Sequence, residues 1–192
     1  MPYSHCWHLL SKPNEMSAIR LARIEELDSI YTLVQEAIRH MHEQGIPQWD
    51  EIYPSKAILN ADIETKHMHL IELEGRVAGF TVINEDQSPE YASVAWRYDG
   101  RVLVVHRLTI HPDFQRRKLA SSLMDFTEEM AAAENYDSIR LDAFTLNPAA
   151  FAMYEKRGYR KAGIVRFRKG DFFCFEKKIS DRRKRNAFSP LT

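Results

Sequence analysis

The segment RLTIHPDFQRRKLASSLMDF, Arg107 to Phe126, reads as a strand, a tight loop and a helix in direct succession. Its strand is the end of RVLVVHRLTI, a β-branched run bounded by Pro112. Its helix shows in Leu119, Leu123, Phe126, Met130 and Ala133, which recur at three- and four-residue steps. A strand that runs into a helix this way leaves the first helical amides without intrahelical acceptors, pointing into the space beyond the strand. Such amides, with the positive helix pole, bind phosphate, and Arg116, Arg117 and Lys118 add three cations at the same spot. The segment is neither a Walker loop nor a dinucleotide fingerprint: GxxxxGK[ST] and GxGxxG are both absent, and the chain has only seven glycines. It predicts a local diphosphate site.

Working outward, Met16 opens a short strand that leads into an amphipathic helix carrying Leu27, Ile30, Tyr31, Val34, Ile38 and Met41, which ends near Gly45-Ile46-Pro47. A second helix is expected from Ser55 to about Lys66. HLIEL and RVAGFTVI then flank Glu74-Gly75 as a hairpin. Residues 85–100 read as a loop. After the central segment come strand SIRLDAF and a short helix with Asn147 at the N-cap, Pro148 at its first position and Gly158 past its end. Two last strands turn at Lys169-Gly170-Asp171. The predicted order is β-α-α-β-β-β-α-β-α-β-β.

A chain of 192 residues with 44% hydrophobic residues supports one well-buried domain. Its boundaries are read as 16–179, with an N-terminal extension at 1–15 and a basic, flexible tail at 180–192. Met16 reads equally as a start position or as the end of an ordered arm. Lys plus Arg and Asp plus Glu both number 27, so no overall field steers the molecule toward nucleic acid or a membrane. Arg182-Arg183-Lys184-Arg185 could dock on nucleic acid, but the neutral total favours a solvated tail. Two cysteines at opposite ends, Cys6 and Cys174, suggest a reducing compartment and no disulfide framework. With no membrane span or secretory signal in the sequence, the cytoplasm is the default location. His40-x-His42 and His67-x-His69 lack companion carboxylates or cysteines, and no metal is expected.

The run from Leu108 to Ala120 resembles the GNAT family of N-acetyltransferases, in which an apolar strand and proline precede Q/R-x-x-G-x-G/A. A second family feature follows in LDAFTLNPAAFAMYEKRGYRKAG: an acidic strand residue, a capping asparagine, a tyrosine and a closing G-Y. The resemblance covers roughly Ser17 to Ile179. It implies an α/β fold with a mixed, mostly antiparallel sheet of about seven strands flanked by four helices. It also implies acetyl-CoA as co-substrate, a primary amine as acceptor and a monomer or homodimer. The backbone of Leu108, Thr109 and Ile110 would then lie along the pantetheine arm, and Gln115, Arg116, Arg117, Lys118, Leu119 and Ala120 would hold the pyrophosphate. Lys118 stands where the family usually has its first loop glycine; an ordinary helical conformation there would still offer its amide.

Asp142 lies five residues before Asn147, the spacing at which the similar ribosomal-protein alanine acetyltransferases place an acidic proton acceptor. By that resemblance it is the candidate base, against an ion pair with Arg140 or plain exposure. A base is useful because deprotonating a lysine-like amine at pH 7 costs about 4 to 5 kcal/mol, and an α-amine only about 1. Tyr154 occupies the family position that protonates the departing thiolate. Asn147 would cap its helix and could touch CoA. His106 suits a proton acceptor by its ordinary pKa but reads better as a packed strand residue. Trp49, Tyr53, and Trp96 with Arg97 fall in loops expected around the acceptor. A catalytically weak acyl-CoA-binding module of the same fold is the alternative function.

Overall fold

The computed structural model describes residues 19–179. The reading of residues 1–18, including Met16, and of the basic tail lies outside them. The elements are β1 (Ile19–Leu21), α1 (Leu27–Glu43), α2 (Lys56–Glu64), β2 (Met68–Leu73), β3 (Arg76–Asn84), β4 (Val102–Ile110), α3 (Leu119–Ala133), β5 (Ser138–Phe144), α4 (Pro148–Lys156), β6 (Arg160–Phe167) and β7 (Gly170–Lys178). Their order is the predicted one. The expected loop at 85–100 contains one turn of 3-10 helix at Pro89–Ser93, and the last turn sits one residue earlier than read, with β7 starting at Gly170. No described helix is long and apolar enough to cross a membrane.

Local chemistry explains most boundaries. Ser55 caps α2 by accepting from the Ile58 amide, and Asn147 caps α4 by accepting from Ala150 with Pro148 in the first turn. Glu74 and Gly75, with φ of 57° and 70°, form the left-handed pair that a two-residue hairpin needs. Gly158 takes φ 81° just past α4.

The seven strands form one sheet in the order β1-β2-β3-β4-β5-β7-β6. Every pair is antiparallel except β4 with β5, which α3 joins as a crossover. Residue alternation assigns the two faces. Leu103, Val105, Ile139, Leu141 and Ala143 pack on the side that carries Met124 of α3 and Tyr154 of α4. Met68, Leu70, Phe80 and Val82 pack against Ile30, Val34, Leu59 and Ile63 of α1 and α2. The α3 stripe is turned slightly from its expected face. Leu119, Leu123, Met124, Thr127 and Ala131 are buried whereas Ala133 is exposed, because α3 lies across β3, β4 and β5 together.

Two features of β4 interrupt the regular sheet. Its ladder with β5 runs only from Val102↔Ser138 to Val105↔Leu141, so His106 to Ile110 have no β5 partner. Its register with β3 slips between Phe80↔Thr109 and Val82↔His106, and inside that slip Arg107 has φ 47°. This is a β-bulge, which bends the strand. Gly79 sits on the adjacent stretch of β3, where an added Cβ would lie 2.6 Å from the Thr109 carbonyl oxygen and 2.5 Å from Ile110 Cδ1. Gly79→Ala is therefore expected to destabilise the fold by about 1 to 3 kcal/mol in urea unfolding; an unchanged midpoint would mean that β4 is free to move away.

Candidate active site

The bulge at Arg107 is held from one side. Its guanidinium donates to both oxygens of Asp62 on α2, at 2.9 and 2.6 Å, and to the Tyr53 hydroxyl at 2.8 Å. Both members of the ion pair are nearly buried, with side chains 11% and 10% exposed. Burial works against the Arg107 charge, but Tyr53 and Asp62 more than offset it and raise its pKa. The contact ties α2 and the loop before it to the one point where β4 bends. Asp62 lies three residues from Leu59 on the buried side of α2, so a charge on an apolar stripe was the sequence signal available for it.

Beyond Val105 and Leu141 the strands part, and a cavity of about 590 Å³ lies at the gap. Asp142 and Tyr154 both line it. They reach it from opposite faces: Asp142 shares its face of β5 with Phe144, whereas Tyr154 belongs to the cluster under α3 and α4. Asp142 neither pairs with Arg140 nor is freely exposed, the two alternatives for it. It accepts a 2.7 Å hydrogen bond from the Tyr91 hydroxyl, while Arg140 binds Gln87 and the Tyr98 carbonyl. Burial pushes the Asp142 carboxyl up to about 6, with the Tyr91 bond pulling it partly back and Glu90 adding to the rise. Tyr91, brought in by the 3-10 turn at Pro89–Ser93, is a site residue that its polar loop gave no reason to single out.

The Tyr154 hydroxyl has no hydrogen-bond partner among the described residues, and burial together with the Asp142 charge raises its pKa. It therefore keeps its proton. Cys174, opposite Asp142 in the β5–β7 register, is buried and pushed up to about 12, chiefly by desolvation, and stays a thiol. His106 also lines the cavity and bonds Asn84 through Nε2 at 2.9 Å. Burial, with Arg107 beside it, drops its pKa to about 4, so it is neutral.

The loop between β4 and α3 begins with a 3-10 turn at Pro112–Phe114. The Gln115 amide donates to the Pro112 carbonyl at 3.2 Å, and the Ser122 amide returns to Lys118 O at 3.0 Å. Between them, the amides of Arg116, Arg117, Lys118, Leu119, Ala120 and Ser121 have no backbone acceptor among the described residues. The free set is thus shifted by one residue from the expected Gln115 to Ala120. Lys118 also departs from expectation: it is left-handed, φ 65° and ψ 9°, and Arg116 has φ 62°. A glycine would be unstrained at either position. Arg117 pairs with Glu74 at 2.6 Å, and Arg116 and Lys118 are exposed.

Leu108 and Asn147 line the cavity as well, Asn147 while capping α4 and donating to Gln48 at 3.4 Å. Trp49 and Tyr53 are in its wall. Trp96 is elsewhere, packed on Tyr91 with its ring nitrogen on the Tyr91 carbonyl, and the Arg97 amide is taken by Glu176. Among the described residues no group of three His, Cys, Asp or Glu side chains could hold a metal ion.

The family model described as acetyltransferase (GNAT) family matches residues 27–159. A curated acetyltransferase of Pectobacterium atrosepticum is 29% identical over 110 residues, which is 54% of this chain and 69% of that one. Among solved structures, a GNAT-family acetyltransferase of Streptococcus agalactiae superposes with a TM-score of 0.76 at 24% identity, over 88% of this chain and 98% of its own. The PaiA N-acetyltransferase of Thermoplasma acidophilum, solved in complex with coenzyme A, gives 0.64 at 19% identity over 84% and 98%. With the bulged β4, the parted strands and the amide-rich loop, these matches lead to one assignment: the chain belongs to the GNAT family of acetyltransferases.

Proposed function

We propose that the protein moves the acetyl group of acetyl-CoA to a primary amine by direct attack on the thioester. The observation that carries this reading is the meeting of Asp142 and Tyr154, from opposite faces of the sheet, in one cavity at the β4–β5 gap. One group is a carboxylate poised near neutral pH and the other a phenol that keeps its proton. That is the pairing an amine acetylation needs. β4 leads from this cavity directly to the unpaired amides of Arg116 to Ser121, which suit the pyrophosphate. The related protein crystallised with coenzyme A supports the same donor.

In the proposed reaction Asp142 takes a proton from the amine, whose nitrogen then bonds to the acetyl carbonyl carbon. The oxyanion is stabilised by a backbone amide of the Leu108 to Ile110 stretch. As the carbon–sulfur bond breaks, the thiolate receives the Tyr154 proton, and the second proton that the acetylated nitrogen sheds restores the phenol, while Asp142 returns its proton to solvent. Asn147 keeps the α4 N-terminus, and with it Tyr154, in place. A catalytically weak acyl-CoA-binding module would share the amide loop but would have no use for a carboxylate tuned to about 6. Acetyl-CoA binding without thiol release across a broad amine panel would favour that module.

Tyr154→Phe is expected to lower kcat by about 100-fold or more while acetyl-CoA binding stays within about twofold. Unchanged turnover would remove Tyr154 as the acid.

Asp142→Asn should cost most activity between about pH 6 and the pKa of the acceptor amine. Below that window the native carboxyl is itself protonated, and above it the amine needs no base. Its effect on stability has the opposite sign. The folded state binds this proton more tightly than the unfolded chain, so ionising Asp142 weakens the fold as pH rises through about 6. The Asn variant should therefore be more stable than the native protein at pH 8, by about 1 to 2 kcal/mol for this half-buried group, with the gain fading toward pH 4. Chemical denaturation at the two pH values reads this directly.

Tyr91→Phe removes the hydrogen bond that favours the ionised carboxylate. The acid limb of the kcat/KM profile should then move to higher pH. A Tyr91 that serves packing alone would leave that limb where it is.

A further inference from the structure

The lining of the cavity includes five charged side chains: Arg107, Arg168, Lys169, Glu90 and Asp142. The three cations are already engaged by the wall itself. Arg107 is held bidentate by Asp62 and by Tyr53. Arg168 and Lys169, at the β6–β7 turn, converge on the two oxygens of Asp50 at 2.7 and 3.2 Å. Asp50 also accepts the Ile52 and Tyr53 amides, and its side chain is only 11% exposed. Glu51 adds a further negative charge near Arg168. The loop from Gln48 to Tyr53 is thereby fastened at three points: to Asn147 at α4 through Gln48, to the β6–β7 turn through Asp50, and to the β4 bulge through Tyr53.

Besides the engaged cations, the lining offers an acceptor two carboxylates, Glu90 and Asp142, the neutral polar groups of Gln48, Ser88, His106 and Asn147, and the apolar side chains of Trp49, Ile52, Tyr53, Ile58, Phe167 and Phe172. Ile52 is an apolar side chain at the cavity that is 61% exposed. A polyamine or an aminoglycoside would bring several ammonium groups to a lining with only two carboxylates free of a cation, Glu90 and Asp142, and leave the other ammonium groups without a partner. An acidic amine would have to compete with Asp50, which is already hydrogen-bonded to both cations. Neither matches the wall.

We propose that the acceptor is a small monoamine with an apolar, aryl-sized body, its nitrogen on the Glu90–Asp142 side and its body against Ile52, Tyr53, Phe167 and Phe172. This rests on the acetyl-transfer reading and narrows its substrate class. A cavity of about 590 Å³ is of a size to take such an amine beside a thioester end.

Calorimetric titration of the full chain tests the proposal. CoA is titrated first, and amines are then titrated into the CoA-saturated protein, where no turnover occurs. 2-Phenylethylamine is expected to bind at least about tenfold more tightly than spermidine or L-glutamate. Ile52→Ser, a change at an exposed loop position, should weaken 2-phenylethylamine about three- to tenfold and leave CoA binding unchanged. The proposal is overturned if spermidine or glutamate binds as well, if 2-phenylethylamine does not bind, or if Ile52→Ser has no effect on it. Failure of the native protein to bind CoA would instead remove the acetyl-transfer reading, and this inference with it.

Discussion

The last rung between β4 and β5 is Val105↔Leu141, and past it the backbone groups of the two strands face each other across a gap. Open strand edges inside a sheet are costly, because each N–H and C=O there forgoes a partner. The gap is kept open by what lies on either side of it. On the β4 side, the Arg107 bulge bends the strand and is pinned by Asp62 and Tyr53. On the β5 side, seven consecutive residues pair with β7, from Ser138↔Lys178 to Phe144↔Phe172, so β5 cannot swing back toward β4. Two strands each fixed to a different neighbour leave a wedge between them, and the site occupies that wedge. Without it, Asp142 and Tyr154 would be separated by a closed sheet.

Hydrophobic period, turn residues and caps carried most of the architecture in the sequence. Ser55, Asn147-Pro148, Gly75 and Gly158 each do in the structure what their residue type prefers, while Glu74 takes the left-handed backbone that the turn imposes on it. What local motifs could give of the candidate site is its placement: the amide loop, displaced by one residue from Gln115 to Ala120, and Asp142 and Tyr154 at one cavity. The site was not legible where it depends on residues far apart in the chain. Tyr91 lies 51 residues from Asp142, Asp62 lies 45 from Arg107, and Asp50 lies 118 from Arg168. A single polar residue in a loop gives no sign of the strand it will meet, and topology alone decides the partner. Trp96 shows the converse: an aromatic in a promising loop that packs on Tyr91 and Arg140 instead of the cavity.

Lys118 illustrates how a motif can be satisfied in geometry and altered in chemistry. The left-handed backbone at this position is retained although a lysine occupies it. The requirement therefore belongs to the turn from loop to helix, and glycine is only its least strained solution. A lysine accepts about 1 to 2 kcal/mol of local strain to hold that turn. The amides on both sides of it remain unpaired, so the loop still presents the donors that the proposed pyrophosphate site calls for. Arg116 has the same sign of φ two residues earlier, which puts two strained positions within one short cradle.

Charge in this molecule is managed by pairing rather than by excess. Equal totals of acidic and basic residues give no long-range field, and near the cavity almost every charge is tied to an opposite one within the protein. Glu90 and Asp142 are the exceptions, of which Asp142 is the less exposed. Asp142 is held by a neutral phenol instead of a cation, and burial lifts its pKa, whereas Asp50, with Arg168 and Lys169 against it, is driven far down. Two aspartates in the same cavity region thus shift in opposite directions, Asp50 chiefly through its cations and Asp142 chiefly through desolvation. The one bound to cations is a structural tie, permanently ionised. The one bound to a hydroxyl has its pKa lifted to about 6, destabilises the fold slightly when ionised, and is the group to which the proposed reaction assigns the proton transfer.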